Sequence, residues 1–171
     1  MSTVVLFFLA LGLMIVESVA LYSFSIQGWA LQTPLVVAIY LGLDRDFVPG
    51  ALMLMALLFP IEWLVGGVFG VYSLGLVVVF LAMRALRPNL QTVWGISRGI
   101  VALAAVVLHS GVMVLALFFL GEAGGRLLSV VGWQMWVSAL TVAGATVIVG
   151  RTFARIDAMM DPHRGTVEFD P

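Results

Sequence analysis

Long apolar runs separated by short polar breaks dominate the pattern of residues along this chain. A helix rises ~1.5 Å per residue, so about 20 apolar residues cross a hydrocarbon core of ~30 Å. The pattern predicts an all-α polytopic membrane protein with six transmembrane helices, short loops and a tail at residues 151–171. The predicted spans are residues 4–24, 29–43, 47–69, 71–86, 99–120 and 127–150.

The composition agrees with a chain whose main solvent is lipid. Hydrophobic residues make up 63% and charged residues 10%, whereas soluble domains average about 45–50% and about 25%. The chain has no cysteine, so the sequence offers no disulfide and no thiolate metal site. The first run lacks the basic start and short apolar stretch of a secretory signal, and we expect it to remain attached.

The basic residues, all of them arginine, predict the orientation. With six spans, Arg126 lies alone on one side of the membrane and the other seven arginines share the opposite side. This asymmetry indicates that both termini lie in the cytoplasm. A five-span arrangement would distribute the arginines more evenly. The seven arginines are Arg45, Arg84, Arg87, Arg98, Arg151, Arg155 and Arg164.

The stretch from residue 59 to residue 75 is the most unusual part of the apolar pattern. An acid at the centre of a membrane helix costs roughly 2.5–3.5 kcal/mol, and a proline frees a carbonyl that lipid cannot satisfy. We interpret Pro60, Glu62, Gly66 and Gly70 as a groove that binds a partner helix, because small residues at this spacing permit close helix packing. Two alternatives stay open: Glu62 caps a helix that begins after Pro60, and the glycines pack within the bundle.

Three further polar residues fall within predicted spans, namely Glu17, His109 and Gln134. Counted from the span ends, they lie at a depth similar to that of Glu62, in the outer half of the bilayer. Glu17 is too deep to reach water easily, so it is paired, protonated or facing a cavity. His109 is either a hydrogen-bonded packing residue or a ligand.

Catalytic and cofactor motifs are missing from the sequence. It has no His-Glu-x-x-His, no Gly-x-Ser-x-Gly and no phosphate-binding loop with lysine, and its two histidines are far apart. No basic patch suggests nucleic-acid binding. The sequence therefore favours a protein that is not an enzyme and holds no metal or other cofactor.

The segment from Pro34 to Gly75 resembles the rod shape-determining protein MreD family. This resemblance implies a non-catalytic scaffold of the bacterial cell-elongation complex, with partners that are an MreC-like membrane protein, actin-like filaments, and a peptidoglycan polymerase and transpeptidase. It also implies a fold similar to the substrate-binding subunits of energy-coupling-factor transporters. The residues that carry the resemblance are Pro34, Tyr40, Arg45, Gly50, Glu62, Gly66 and Gly70.

A substrate-binding subunit of such a vitamin transporter is the alternative function. That class needs a pocket with aromatic and polar groups at the outer loops. The predicted outer turns, residues 25–28 and 121–126, are short and poor in such groups. This difference favours the scaffold.

Overall fold

The structure, a computed structural model, describes residues 3–23, 33–65, 68–90, 96–121, 139–146, 148 and 152. Over these residues the chain is helical apart from short turns and contains no strand. Residues 139–146 are helical as well. The helices with assigned bounds are α1 (Thr3–Ser23), α2 (Thr33–Asp44), α3 (Phe47–Val65), α4 (Val71–Leu90) and α5 (Ile96–Phe119).

Four of these helices, α1, α3, α4 and α5, are long and apolar enough to cross a membrane. The chain is therefore a helical, multi-pass membrane protein. Helix α2 has 12 residues, which is only ~18 Å and too short for a complete crossing. The sixth predicted span, residues 127–150, lies mostly outside the described residues. Within it, Ala139 and Val142 are buried in the same core as the other helices.

Several predicted boundaries differ from the observed ones. Helix α3 ends at Val65, so the predicted span to residue 69 was too long. Gly70 instead lies in the turn before α4 with a φ of 89°, a conformation that glycine adopts without steric cost. Helix α4 continues through Pro88 to Leu90 rather than ending at residue 86, because a proline near a helix end removes only one hydrogen bond. Helix α2 begins at Thr33, and residues 29–32 of its predicted span lie outside the described residues.

The short helix α2 lies at the centre of the bundle. Nine consecutive residues, Pro34 to Gly42, are buried, so every face of the helix is covered. It contacts α1, α3, α4 and α5, most extensively α4. A helix that is apolar all round belongs inside a core or a membrane. The longer helices therefore enclose α2 and present their own outer faces to lipid.

Close backbone approach holds α2 against α4. A Cβ atom added at Gly42 would lie 2.7 Å from Met83 Cβ and 2.9 Å from the Phe80 carbonyl oxygen. Lipid is as apolar as the helices, so packing rather than the hydrophobic effect drives their association. Glycine at this position allows the tight packing that such association needs.

The bundle has two distinct ends. At one end, which we call the glutamate end, α2 and α4 begin close to Glu17 of α1 and Glu62 of α3. At the other, which we call the arginine end, α4 approaches the turn between α2 and α3. The two glutamates therefore lie at one end of the bundle and the arginines at the other.

Candidate functional site

Glu17 caps the first turn of α2. The first four N–H groups of a helix have no partner within it, and in an apolar bundle each unsatisfied group costs several kcal/mol. The Thr33 N–H donates to Glu17 Oε2 at 2.9 Å. The next residue, Pro34, has no N–H to satisfy and is buried. A carboxylate at this position also interacts favourably with the helix dipole.

The position of Glu17 along α1 explains why this cap is needed. Glu17 precedes the last residue of α1, Ser23, by ~9 Å along the helix axis. Helix α2 therefore begins beside the body of α1 rather than at its end, where the hydrogen bond is partly buried. An acid is stable there because a backbone donor binds it.

Glu62 performs the same task for α4. The Ser73 N–H donates to Glu62 Oε1 at 2.8 Å, and the Glu62 side chain is only 7% exposed. Ser73 is in the first turn of α4, where its N–H has no carbonyl four residues earlier within the helix. Two acids on two helices thus each cap the helix that follows.

Tyr72 links the two acids to α5. Its side chain interacts electrostatically with both Glu17 and Glu62. The centroid of its ring lies 4.8 Å from that of the His109 ring, and the two ring planes meet edge to face at 74°. Glu17, Glu62, Tyr72 and His109, contributed by α1, α3, α4 and α5, therefore form one polar layer, which we call the glutamate layer.

Gly75 makes room for the histidine. A Cβ atom added at Gly75 would lie 2.7 Å from His109 Cδ2 and 2.9 Å from His109 Nε2. The imidazole therefore rests on the α4 backbone at Gly75, two residues after Ser73. His109 is 6% exposed, and its Nε2 atom has no hydrogen-bond partner among the described residues. The Ser73 hydroxyl is likewise buried without one.

The predicted groove of Pro60, Glu62, Gly66 and Gly70 is not formed as a helix face. Helix α3 ends before Gly66, which lies outside the described residues, and Gly70 lies in the turn with open space around it. Pro60 is inside α3 and partly buried. Glu62 points inward to cap α4, so its carboxylate is occupied within the chain. Gly70 lies instead in a turn with a positive φ, which glycine adopts without steric cost, and its predicted part in binding a partner helix stays a prediction.

Other predicted polar residues have different outcomes. The structure brings Glu17 and His109 together with Glu62 around Tyr72. Gln134 lies outside the described residues. The sequence did not single out Tyr72 or Gly75, although the spacing of Tyr72 and Gly75 places both on one face of a helix.

The chemistry of the glutamate layer is that of hydrogen bonding within the protein. Both carboxylates accept from backbone N–H groups, which satisfies the helix starts. Over the described ranges, no group of three or more His, Cys, Asp or Glu residues is placed to hold a metal ion. The arrangement fixes four helices relative to one another.

No protein-family model matches the chain, and comparisons with curated proteins and with solved structures also gave no match.

Proposed function

We propose that this protein is a non-catalytic scaffold subunit of the bacterial cell-elongation complex in the inner membrane. Its six apolar segments, of which α2 is short and buried rather than a complete crossing, leave both termini in the cytoplasm. It docks the transmembrane helices of partner proteins, among them an MreC-like protein and the peptidoglycan polymerase and transpeptidase. In this way it connects actin-like filaments to cell-wall synthesis.

The proposal is supported by the structural roles of the residues on which the MreD resemblance depends. Pro34 starts the buried helix α2 and Tyr40 is buried within it. Gly50 brings α3 within 3.3 Å of the Leu41 carbonyl oxygen, measured from an added Cβ. Glu62 caps α4. These residues build the rigid hairpins of a bundle, which is the role expected of a motif in a scaffold.

The docking face that we propose is the outer surface of α3. Its outward side chains follow one another at intervals of three or four residues, which places them in one stripe along the helix. The stripe is ~22 Å long, enough for most of a single transmembrane helix. Its two aromatic residues, Phe59 and Trp63, lie near the glutamate end with their ring centroids 6.3 Å apart. The stripe consists of Val48, Leu52, Met55, Phe59 and Trp63, with exposed fractions of 62–76%.

The partner proposed for this stripe is one apolar helix. Glu62 is on the same helix but caps α4, so the contact along this stripe depends on packing. The stripe is proposed beside the groove that the sequence predicted. The inner side of α3 remains fixed to the bundle while the outer side is available.

Affinity purification from native membranes tests the proposal. The tagged wild-type protein should retain a single-span membrane protein and a peptidoglycan polymerase, identified by mass spectrometry. Replacing Leu52 and Phe59 by alanine should remove the single-span partner. The matched control replaces Val107 and Leu115 by alanine on the outer face of α5, where they are 53% and 56% exposed. This control variant should still retain the single-span partner.

Two outcomes contradict the proposal. Wild-type protein that retains no component of cell-wall synthesis would refute the scaffold function. Equal loss of the partner from the α3 and α5 variants would refute the α3 docking face. A vitamin present in stoichiometric amounts in the native extract would instead support a transporter subunit.

A further inference from the structure

Two guanidinium groups converge at the arginine end of the bundle. Arg84 Nη1 donates to the Arg45 carbonyl oxygen at 2.8 Å, and Arg87 Nη1 donates to the same oxygen at 2.9 Å. Two positive groups bound to one oxygen atom lie well within the ~10 Å over which charges interact at moderate salt. Their repulsion favours an anion at this position.

The carboxylates nearby neutralise this charge only in part. Asp44 and Asp46 flank Arg45 in the turn between α2 and α3. The Arg87–Asp46 distance is 3.8 Å, and the Asp46 side chain is 81% exposed. Such an exposed pair contributes little because water and salt screen it.

Arg84 has the largest unused capacity for an anion. Among the described residues its contact is a hydrogen bond to a neutral carbonyl rather than to a carboxylate. A guanidinium carries five N–H donors in a planar fork, which suits the oxygens of a phosphate. Several donors of Arg84 therefore remain for a ligand.

An exposed aromatic ring, that of Phe47, lies beside the buried Phe80 near these arginines. Phe80, Arg84 and Arg87 are four and three residues apart, and so share one face of α4. The ring of Phe47, which is 48% exposed, lies 6.0 Å from the Phe80 ring. Both arginines lie in the last turns of a helix long enough to cross a membrane. Charge at the boundary with an apolar surface directly inside it matches the shape of a phospholipid.

We propose that the arginine end binds the phosphate of an anionic phospholipid. Arg84 and Arg87 donate to the phosphate oxygens, and an acyl chain lies along Phe47. Arginine–phosphate hydrogen bonds are charge-assisted and about twice as strong as neutral ones. The proposal concerns the end of the bundle opposite the glutamate layer and does not depend on the scaffold function.

Native mass spectrometry of protein released from bilayer nanodiscs tests this site. The discs contain phosphatidylcholine with increasing phosphatidylglycerol of the same acyl chains. The variant R84Q/R87Q should bind phosphatidylglycerol roughly 30-fold more weakly than wild type, from about 1 kcal/mol per arginine near an anionic surface. The control R151Q/R155Q removes the same charge from the tail and should change binding less than threefold.

A conservative variant protects the test against misfolding. R84K/R87K keeps both charges and should retain selectivity for phosphatidylglycerol over phosphatidylcholine, although with weaker binding because lysine lacks the planar fork. The melting temperature of each variant in pure phosphatidylcholine discs shows whether the fold is intact. Lipid comparison on the wild-type protein needs no variant at all.

Three results overturn the proposal. The first is wild-type protein that binds both lipids equally. The second is equal loss of binding from R84Q/R87Q and R151Q/R155Q, which would show a non-specific charge effect. The third is displacement of bound lipid by millimolar inorganic phosphate, which would show that free phosphate rather than lipid is the ligand.

Discussion

Replacing Gly42 by alanine tests the close approach of α2 and α4. The added Cβ would lie 2.7 Å from Met83 Cβ and 2.9 Å from the Phe80 carbonyl oxygen. Both atoms are fixed to the α4 backbone, so neither moves aside by a simple side-chain rotation. The two helices must separate, although α2 is enclosed on every side.

The magnitude follows from two opposing effects. Overpacking of a tight core costs about 1–3 kcal/mol, whereas alanine is favoured over glycine in a helix by about 0.8–1.0 kcal/mol. Since both contacts involve fixed atoms, we expect a net loss of about 1–2 kcal/mol in the free energy of unfolding. Gly12→Ala is the matched control, because nothing lies within 4 Å of its Cβ position. That variant should be neutral or up to about 1 kcal/mol more stable.

Reversible unfolding in mixed micelles with increasing dodecyl sulfate provides the assay. Helix content by circular dichroism gives the free energy of unfolding for wild type, Gly42→Ala and Gly12→Ala. Gly42→Ala should unfold at a lower dodecyl sulfate fraction than Gly12→Ala. If the two variants unfold together, the α2–α4 contact is looser than described and the reasoning is refuted.

Three further predictions concern the glutamate layer and the turn beside it. Gly75→Ala should destabilise the protein by about 1–2 kcal/mol because the methyl group meets His109. Adding His109→Ala should cancel part of this loss in a double-mutant cycle. If the two losses in free energy of unfolding simply add, the contact is not there. Glu62→Ala should lower the free energy of unfolding by about 1–3 kcal/mol, and Glu62→Gln should lower it clearly less, because glutamine keeps an acceptor for the Ser73 N–H. Equal losses for the two variants in the same micelle assay would disprove the cap. Gly70→Ala should cost about 1–2 kcal/mol through its φ of 89° alone, whereas no measurable loss would mean that the turn adopts another conformation.

The sequence predicted the class of fold because lipid imposes simple rules on length and polarity. Apolar runs of about 20 residues marked α1, α3 and α5 closely, since a chain in lipid must satisfy its backbone within helices. The burial of α2 was harder to predict. Its 12 residues are apolar all round, and apolarity alone does not separate a lipid-facing helix from a central one.

The site was predicted in part of its composition and not in its contacts. Counting depth along the spans placed Glu17, Glu62 and His109 in one layer, and the structure brings them around Tyr72, which the sequence did not single out. The capping role was not predictable for Glu17, because Thr33 is 16 residues away and the start of α2 depends on packing. The turn conformation of Gly70 was not predictable either, because glycine serves both close packing and left-handed turns.

Amide hydrogen exchange at Thr33 and Ser73 tests most directly the claim that the two acids cap the buried helix starts. Residue-specific exchange is measured by NMR in micelles for wild type, Glu17→Ala and Glu62→Ala. Both amides should be protected in wild type, because each donates to a carboxylate at 2.8–2.9 Å. Glu17→Ala should release only the Thr33 amide and Glu62→Ala only the Ser73 amide. Fast exchange of both amides in wild type, or loss of both in either variant, would contradict the account.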